Sequence, residues 1–293
     1  MVRVPAPAKL NLALHVVGRR ADGYHLLDML VAFADVGDVV TAEAASGLAL
    51  SRSGPFAEGL GPVEDDLVMK AAARLAEAAG RDTAATGAAL HLEKNLPVAS
   101  GIGGGSADAA ATLKALGELW RVSLPKGDIE AIALSLGADV PMCLAGAPAR
   151  VTGVGETVLP YGGLPDLDLV LVNPGVAVST PAVFRALASR DNAPLPALPD
   201  RFPAIGDLVD WLATARNDLE PAAIGLAPVI GDVLARLGDA PGSLFARMSG
   251  SGATSFGIFE NTEAAAAAAA AIAAAEPGWW VRQSRSGPRA PGT

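Results

Sequence analysis

The sequence predicts an α+β fold, in which strands and helices follow one another without strict alternation. Residues 9–16 alternate apolar and polar side chains with a period of two, which is the pattern of a strand. Residues 107–119, and the alanine-rich residues from Thr262 onward, have the composition of helices. This mixed order differs from the regular βαβ repeat of a parallel α/β protein. The 293 residues suit either two modest domains or one large domain.

The first half of the chain is expected to contain four strands and three helices. Leu10, Leu12 and Leu14 share one face of the first strand, so we expect that strand to be half-buried, with Lys9 and Asn11 on its other face. The remaining strands are predicted at 26–33, 38–50 (alternatively a hairpin) and 88–94. The helices are predicted from a cap at Asp66 to Ala79, at 107–119 and at 128–136.

The second half is expected to form a separate domain. Tyr161 and the two glycines that follow it mark the boundary, which predicts domains at 1–160 and 161–283. A strand predicted at 147–153 precedes this boundary. After it, strands are predicted at 168–173 and 255–260, and helices at 180–189, 205–215, 228–237 and from Thr262 to Pro277. Residues 284–293 have the composition of a disordered tail.

The composition excludes several classes of partner. The formal net charge is −9 with a pI near 4.8, so we expect neither nucleic acid nor a membrane surface as a partner. The single cysteine, Cys143, rules out an internal disulfide and a cysteine-based zinc site. The N-terminus lacks the apolar core of a signal peptide. We therefore expect a cytoplasmic protein; its oligomeric state is left open between a monomer and a weak homodimer.

The glycine-rich residues 101–106 lie between a predicted strand and a predicted helix. Without Cβ atoms the backbone can approach a phosphate closely, and the start of the helix adds the positive end of its dipole. A P-loop is excluded because the chain contains no Gly-Lys pair, and Ser106 stands where a dinucleotide-binding fingerprint needs glycine. A protein kinase is excluded because His-Arg-Asp and Asp-Phe-Gly are both missing. The turn therefore predicts a phosphate site of another type, with a flexible linker as the alternative.

Residues 97–107, PVASGIGGGSA, resemble the phosphate loop of the GHMP kinases, the superfamily of galactokinase, homoserine kinase, mevalonate kinase and phosphomevalonate kinase. Segments through nearly the whole chain resemble one branch of it, which acts in the non-mevalonate isoprenoid route. In chain order they are APAKLNL at 6–12, RADGYH at 20–25, GADVP at 137–141, VNPGVAVST at 172–180, NDLE at 217–220 and MSGSGAT at 248–254.

The resemblance implies a two-domain GHMP-kinase fold with the active site between the domains. The N-terminal domain would be an α/β domain similar to domain 2 of ribosomal protein S5, and the C-terminal domain would be ferredoxin-like. ATP with Mg²⁺ would phosphorylate the tertiary 2-hydroxyl of a branched polyol linked to cytidine diphosphate. The alternatives are another kinase of the superfamily, acting on mevalonate, homoserine or a sugar, and a nucleotide-binding protein on the same scaffold that has lost catalysis.

The resemblance also assigns roles to individual residues. Asp139 would take the proton of the attacking hydroxyl, and Lys9, paired with it, would orient the carboxylate and offset charge on the transferring phosphoryl group. The residues expected at ATP are Pro97, Val98, Ala99, Ser100, Gly101, Ile102, Gly103, Gly104, Gly105, Ser106 and Ala107. The residues expected at the other substrate are Asn11, Tyr24, His25, Thr180 and Phe184, with Tyr24 and Phe184 on either side of the cytosine ring.

Taken without the resemblance, these residues have simpler interpretations. Asp139 fits the turn after a helix, Tyr24 and His25 fit the rim of a loop, and Phe184 fits the core. His15, His91 and Cys143 have no metal-ligand spacing and are expected to be structural. Ser106 is a candidate contact of Mg²⁺, whose ligands the sequence leaves unknown.

Two positions depart from the usual pattern of the superfamily branch. Asp66 stands where an asparagine near the adenine pocket is common, so it changes a base contact or only caps a helix. Residues 98–100, VAS, replace a more glycine-rich stretch, so the turn should be stiffer at its entry.

Overall fold

The computed structural model of the chain describes residues 1–286, which form two compact units. The first unit comprises residues 1–8, 37–98 and 103–146. The second unit comprises residues 9–36 and 99–102 and the described chain from residue 147 onward. The units therefore interleave along the sequence. The predicted division after residue 160, which is the last residue of a strand, stays a prediction.

The first unit combines part of a sheet with a group of helices. Its strands are β1 (Val2–Arg19) and β2 (His25–Ala45), which both continue into the second unit, with β3 (Leu48–Ser53) and β4 (Gly87–Glu93). Its helices are α1 (Leu67–Ala78), α2 (Thr83–Thr86), α3 (Gly104–Trp120), α4 (Lys126–Leu136) and α5 (Val140–Ala145), with 3-10 turns at Ala57–Gly59 and Val63–Asp65. Helix α3 packs against α1 and α5, and β4 pairs with β2 and β3.

The second unit contains the other elements. Its strands are β5 (Ala149–Gly153), β6 (Thr157–Pro160), β7 (Leu167–Asn173), β8 (Ser243–Met248), β9 (Ser255–Phe259) and β10 (Trp280–Ser286). Its helices are α6 (Thr180–Arg185), α7 (Ile205–Thr214), α8 (Glu220–Leu226), α9 (Val229–Gly238) and α10 (Thr262–Ala275). Strand β5 pairs with residues 27–31 of β2 and with β6.

The four strands from β7 to β10 form an antiparallel sheet in the order β10-β7-β9-β8. Helices α9 and α10 cover it through a core that includes Val170, Leu237, Phe259, Ala268 and Ile272. The chain order β7-α9-β8-β9-α10-β10 with this strand order is the ferredoxin-like arrangement. The predicted α+β class is therefore confirmed, together with the ferredoxin-like part of the second unit. Within residues 1–286, every helix is too short or too polar to cross a lipid bilayer.

Strand β1 differs from its prediction because both of its faces are buried. Lys9 is 3% exposed, Asn11 is 0% exposed and His15 is 1% exposed, as low as their leucine neighbours. The polar side chains have partners inside the second unit: the Nδ1 atom of His15 lies 2.9 Å from the carbonyl oxygen of Ala193, and its Nε2 atom accepts the N–H of Arg216. An alternating pattern indicates a half-buried strand only when the polar face meets water.

Three further predictions about the elements differ from the structure. The segment 38–50 is not a hairpin: β2 continues to Ala45, and β3 pairs in parallel with β4 instead of folding back on β2. Helix α6 ends at Arg185, four residues before the predicted end. Helix α3 begins at Gly104 rather than at 107, because Gly103 adopts a φ of +66° as the N-cap and its carbonyl accepts the N–H of Ala107.

The predicted disordered tail is wrong for residues 284–286, which form the end of β10. They pair with residues 167–169 of β7, and Ser284 and Ser286 are buried. The hydroxyl of Ser284 and the N–H of Arg285 both donate to the Asp35 carboxylate, which explains why a polar sequence is ordered here. The rest of the predicted tail, 287–293, lies outside the described residues.

The capping prediction for Asp66 is confirmed. Its carboxylate accepts the N–H of Val68 at 2.9 Å and also pairs with the Arg52 guanidinium at 2.6 Å. The two side chains are only 8% and 12% exposed, so the ion pair is largely shielded from water. Asp66 therefore stabilises the start of α1 and neutralises a nearly buried cation at the same time.

Replacing Asp66 separates these two contributions. Asp66→Ala removes the cap, worth about 1 kcal/mol, and leaves Arg52 without its carboxylate, so the free energy of unfolding should fall by more than the cap alone. Asp66→Asn keeps a capping oxygen and should lose less. Urea denaturation of the three proteins measures both changes; equal stability of Asp66→Ala and the unchanged protein would contradict this account.

Candidate active site

The residues predicted at the site are divided between the two units. The first unit holds Pro97, Val98, residues 103–107 and Asp139. The second unit holds Lys9, Asn11, Tyr24, His25, residues 99–102, Thr180 and Phe184.

Lys9 and Asn11 lie side by side on β1 in the second unit. The ammonium of Lys9 donates to the Asn11 side-chain oxygen at 2.7 Å, and the Asn11 amide nitrogen lies 3.1 Å from the sulfur of Met29. Both side chains are buried, Lys9 with 3% of its surface exposed. Lys9 is therefore not a solvent-exposed lysine on the surface of the strand. Hydrogen bonds such as the one to Asn11 offset part of the cost of burying the ammonium.

The turn residues 100–102 are bonded to the same strand and to the second glycine-rich loop, 248–254. The N–H of Lys9 donates to the carbonyl of Ile102 at 2.9 Å, and the N–H of Thr254 donates to the carbonyl of Ser100 at 3.0 Å. The hydroxyl of Ser249 accepts the N–H of Asn11 at 3.0 Å and donates to the carbonyl of Gly101 at 3.1 Å. One serine hydroxyl thus connects β1 with the predicted phosphate turn.

Two glycines permit this close backbone contact. A Cβ atom on Gly101 would lie 2.4 Å from the carbonyl oxygen of Ser249, and one on Gly250 would lie 2.7 Å from the carbonyl oxygen of Gly101. Both residues also have positive φ, +78° and +57°. Any larger residue at either position would have to separate the turn from the loop.

The entry of the turn differs from these glycine positions, because a residue with a side chain, Ala99, has a positive φ of +51° there. A non-glycine residue in the left-handed region costs roughly 1 kcal/mol relative to glycine. The alanine in VAS therefore stands at a position that glycine would occupy without strain. This is the physical consequence of the departure noted in the sequence.

Two asparagines from the sequence motifs hold the second loop. The Asn173 amide donates to the hydroxyl of Thr254 at 2.9 Å, and the Asn217 amide donates to the carbonyls of Met248 and Gly250 at 2.8 and 2.9 Å. Glu220 accepts the N–H of Met248. Burial raises the pKa of Glu220, with that N–H and Arg247 opposing the effect. The motifs VNPG and NDLE therefore contribute to the loop from two sides.

Thr180 begins α6 and contacts the same loop. Its hydroxyl lies 2.7 Å from the hydroxyl of Ser251, and Pro181 follows it at the start of the helix. Helix α6 also carries Phe184, one turn further on. The helix therefore places a hydroxyl and an aromatic ring on one short element.

His25 and Phe184 form a stacked aromatic pair in the second unit. Their ring centroids are 4.6 Å apart with an angle of 22° between the planes. The Nε2 atom of His25 is buried and has no hydrogen-bond partner within residues 1–286. Burial lowers the pKa of His25, and the positive charges of Arg19 and Arg190 lower it further, so these surroundings favour the neutral ring. Tyr24, beside it, is 63% exposed.

In the first unit, the start of α3 contains the second half of the glycine turn. Gly104, Gly105 and Ser106 form its first turn, and the first N–H groups of a helix have no acceptor within the helix. These groups, with the positive end of the helix dipole, favour an anion.

Asp139 is the N-cap residue of α5 and lies three positions after Leu136, the last residue of α4. Its backbone carbonyl accepts the N–H of Cys143, while its side chain does not cap the helix. The simpler interpretation placed Asp139 in the turn after a helix, and this position is correct. Asp139 also begins the next helix, which the sequence did not reveal because α5 has only six residues.

Among the described residues, no three His, Cys, Asp or Glu side chains are grouped so as to hold a metal ion. Cys143 and His15 are buried, and His91 lies between the hydroxyls of Ser51 and Ser53, each 2.9 Å from one of its ring nitrogens. These contacts agree with the structural roles expected for the three residues.

Sequence reasoning missed the serines of the second loop and the cations near His25. Ser249 and Ser251 belong to the segment MSGSGAT, which entered the prediction only as part of the resemblance, although each bonds a predicted site residue. A serine on each side of a glycine in MSGSGAT was the available signal. Nothing in the sequence relates Arg190 to His25, since 165 positions separate them.

Two family models match the chain. The model of the GHMP kinases N terminal domain matches residues 66–147, and the model of the GHMP kinases C terminal domain matches residues 195–278. Between them they cover parts of both units.

Curated relatives match over nearly the whole length. A 4-diphosphocytidyl-2-C-methyl-D-erythritol kinase of Cereibacter sphaeroides is 56% identical over 97% of this chain and 99% of its own. Proteins of the same name from Paracoccus denitrificans and Ruegeria pomeroyi are 55% and 53% identical, each over 97% of its own length and over 98% and 96% of this chain.

Solved structures agree with this. A crystal structure of a 4-(cytidine 5'-diphospho)-2C-methyl-D-erythritol kinase is 35% identical, covers 97% of this chain and 99% of its own, and has a TM-score of 0.78. A homoserine kinase from Cytophaga hutchinsonii is 21% identical, covers 97% of this chain and 94% of its own, and has a TM-score of 0.69. The second likeness shows the shared fold alone.

Substituting alanine at two glycines of the turn should give opposite results. Gly101→Ala forces a Cβ atom against the Ser249 carbonyl at a positive φ, so the protein should lose several degrees in Tm. Gly105→Ala is the matched control: its Cβ would meet only Leu67 at 3.5 Å, and alanine is the better helix former by about 1 kcal/mol. Thermal unfolding checks both; a Gly101→Ala protein as stable as Gly105→Ala would refute the close approach.

Proposed function

The chain belongs to the GHMP kinases, in the family of the 4-diphosphocytidyl-2-C-methyl-D-erythritol kinases, and from this membership we propose that it phosphorylates the 2-hydroxyl of 4-diphosphocytidyl-2-C-methyl-D-erythritol. The protein is a small-molecule kinase that uses ATP. Its product would be an intermediate on the non-mevalonate route to isopentenyl diphosphate.

The observation that best supports this substrate is the pair Tyr24 and His25 in the second unit, whose side chains suit the recognition of a nucleotide base. The buried Nε2 atom of His25 needs a hydrogen-bond partner, and the edge of a cytosine offers both donors and acceptors. In the neutral form of the ring, which its surroundings favour, one nitrogen donates and the other accepts. Exposed Tyr24 is a stacking surface for the same base. A kinase for mevalonate or homoserine would have no use for these three features.

We assign the start of α3 and the turn before it to the phosphates of ATP. The unpaired N–H groups of the first turn and the helix dipole provide the attraction, and the glycines allow the close approach. Mg²⁺ would enter with ATP, held mostly by phosphate oxygens and water, and would screen the negative charge of the phosphates. The Ser106 hydroxyl, a hard oxygen donor in that first turn, is the candidate protein contact.

Phosphoryl transfer then needs a base and a cation at the acceptor. We assign Asp139 to take the proton of the 2-hydroxyl as its oxygen bonds to the γ-phosphorus and ADP leaves. We assign the buried Lys9 ammonium to the charge that accumulates on the transferring group, and Asn11 and Thr180 to the polyol and diphosphate. The pairing of Lys9 with Asp139 and the position of the cytosine between Tyr24 and Phe184 stay predictions.

We also propose that the protein acts in the cytoplasm, where ATP is available, and without nucleic acid or a membrane as partner. The net charge of −9 supports the last two points. Whether it is a monomer or a weak homodimer stays open in this proposal.

One assay compares the proposal with its alternatives. ADP release is measured with the cytidylyl polyol, mevalonate, homoserine and galactose as acceptors. Turnover confined to the cytidylyl polyol is expected. Turnover with another acceptor would point to a different kinase of the superfamily, and ATP binding without any turnover would point to a protein that has lost catalysis.

Asp139→Asn should slow turnover by at least about 10²-fold, because an amide cannot accept the proton of the attacking hydroxyl. The affinity for ATP, measured by calorimetry, should be nearly unchanged. An undiminished kcat in this variant would remove Asp139 from its assigned role.

Tyr24→Ala should raise KM for the cytidylyl polyol at least about fivefold, since stacking on one base is worth about 1–3 kcal/mol. Tyr24→Phe keeps the ring and should keep the KM of the unchanged protein, and KM for ATP should be constant in both variants. If Tyr24→Ala leaves KM for the cytidylyl polyol unchanged, the stacking role is wrong.

A further inference from the structure

Arg247 is a buried cation whose side chain joins separate segments of the second unit. It lies near the end of β8, one residue before the second glycine-rich loop, and only 9% of its surface is exposed. Its Nη1 atom donates to the carbonyl of Leu12 at 3.0 Å. Its Nη2 atom donates to the carbonyls of Leu212 and Ala215 at 3.0 and 2.8 Å. The proposed phosphoryl transfer uses none of these contacts.

The surroundings of the Arg247 guanidinium suit an arginine in particular. Leu212 lies in the last turn of α7 and Ala215 is its C-cap residue, so both carbonyls lie at the end of a helix that favours a cation. The central carbon of the guanidinium lies over the Phe245 ring, 4.6 Å from its centre. The planar fork reaches β1 and α7 at once, whereas the compact ammonium of a lysine could not reproduce this geometry.

Arg247 keeps its charge in this buried position. Burial lowers the pKa of its guanidinium to about 10, with Glu220 opposing the decrease and Arg216 adding to it. A group with a pKa of about 10 is protonated at neutral pH. Glu220 in turn accepts the N–H of Met248, the residue that follows Arg247 in the chain. A buried cation is costly unless it is well paired, so its retention here calls for a specific reason.

Arg247 and Ser249 hold the backbone of β1 next to the Lys9 side chain. The hydroxyl of Ser249 accepts the N–H of Asn11 at 3.0 Å. Arg247, two positions before Ser249 in the chain, donates to the carbonyl of Leu12. The Asn11 side-chain oxygen accepts a hydrogen bond from the Lys9 ammonium at 2.7 Å. The position of the ammonium therefore depends on how residues 11 and 12 are held.

The next part of β1 is held by backbone contacts instead. The N–H of Leu14 donates to the carbonyl of Arg216 at 2.8 Å, and its carbonyl accepts the N–H of Asp218 at 2.9 Å. Neither of these bonds uses the Arg247 side chain. A change at Arg247 should therefore loosen β1 at residues 11 and 12, while Leu14 stays bonded.

We propose that Arg247 is a positioning residue for phosphoryl transfer, which holds β1 at Leu12 so that the Lys9 ammonium is fixed where negative charge develops. The proposal rests on the proposed function, and in particular on the role assigned to Lys9. Misplacement of a catalytic group by about 1 Å can cost roughly 10²-fold in rate. Loss of the guanidinium fork should therefore lower kcat. The binding of ATP should persist, because its phosphates are assigned to the start of α3 in the other unit.

The first experiment compares the steady-state kinetics of the unchanged protein with those of Arg247→Met and Arg247→Lys. Arg247→Met removes every donor and should lower kcat at least about tenfold, while KM for ATP changes less than about twofold. Arg247→Lys keeps a cation at the end of α7 and should fold, but it loses the fork, so its kcat should fall at least about threefold. An unchanged kcat in Arg247→Lys would overturn the proposal, even if Arg247→Met fails to fold.

Ile272→Ala is the control for lost stability. Ile272 lies on α10 in the core that covers the four-stranded sheet, so its truncation leaves a cavity there and lowers Tm. Its kcat should equal that of the unchanged protein at a temperature at which all four proteins are folded. If kcat falls with Tm in Ile272→Ala as it does in the Arg247 variants, Arg247 acts through stability alone and the proposal is wrong.

Hydrogen exchange of single amides, followed by NMR, locates the part of the chain that loosens. In Arg247→Lys the amide of Asn11 should exchange at least about tenfold faster than in the unchanged protein, because local opening becomes easier there. The amides of Leu14, on the same strand, and of Leu171, on the central strand β7, should change little. Equal acceleration at all three amides would indicate a general loss of stability and contradict the positioning role.

These outcomes are distinct from failure of the proposed function. Turnover of the cytidylyl polyol with the same kcat in Arg247→Lys and the unchanged protein would remove this inference alone. Turnover confined to another acceptor would remove the proposed substrate, and a lower kcat of Arg247→Lys with that acceptor would still support the role of Arg247. Absence of turnover by the unchanged protein with every acceptor would overturn both.

Discussion

The hydroxyl of Ser249 is the contact on which the polar centre of the second unit depends. It accepts the N–H of Asn11 and donates to the carbonyl of Gly101, so strand β1, the predicted phosphate turn and the second glycine-rich loop meet at one atom. The position of the Lys9 ammonium follows, because that side chain is held by Asn11. The same loop bonds Thr180 through Ser251.

The surrounding structure serves to keep this centre polar while excluding water. Buried polar groups must be paired, and here amides and carboxylates from distant segments do the pairing: Asn173, Asn217 and Glu220 all bond the second loop. The role proposed for Lys9 fits its burial, because an ammonium stabilises developing negative charge more strongly in a buried site than in water. Rigid placement is equally important, since catalysis by fixed dipoles requires that they do not reorganise during the reaction.

Much of the fold, and the family to which the chain belongs, could be predicted from the sequence, whereas the site residues stay predictions; the failures have definite physical causes. Asp66 was predictable as a cap because capping depends on local residue type. The full burial of β1 was not, because the partners of Asn11 and His15 lie far along the chain, at Ser249 and Arg216. Glycine's poor helix propensity concealed the true start of α3, which decides where the free N–H groups are. The long-range contacts of Asn11 and His15 carry no signal in a single sequence.

The central claim, transfer of phosphate from ATP to the tertiary 2-hydroxyl of the cytidylyl polyol, is tested most directly by proton-coupled ³¹P NMR of the reaction product. The carbon that bears a tertiary hydroxyl carries no hydrogen, so the new phosphate monoester should give a line without three-bond splitting. It should appear together with the ADP signals and with an intact diphosphate on the cytidine. A new phosphate signal split by neighbouring protons would place the phosphate on a primary or secondary hydroxyl and contradict the account.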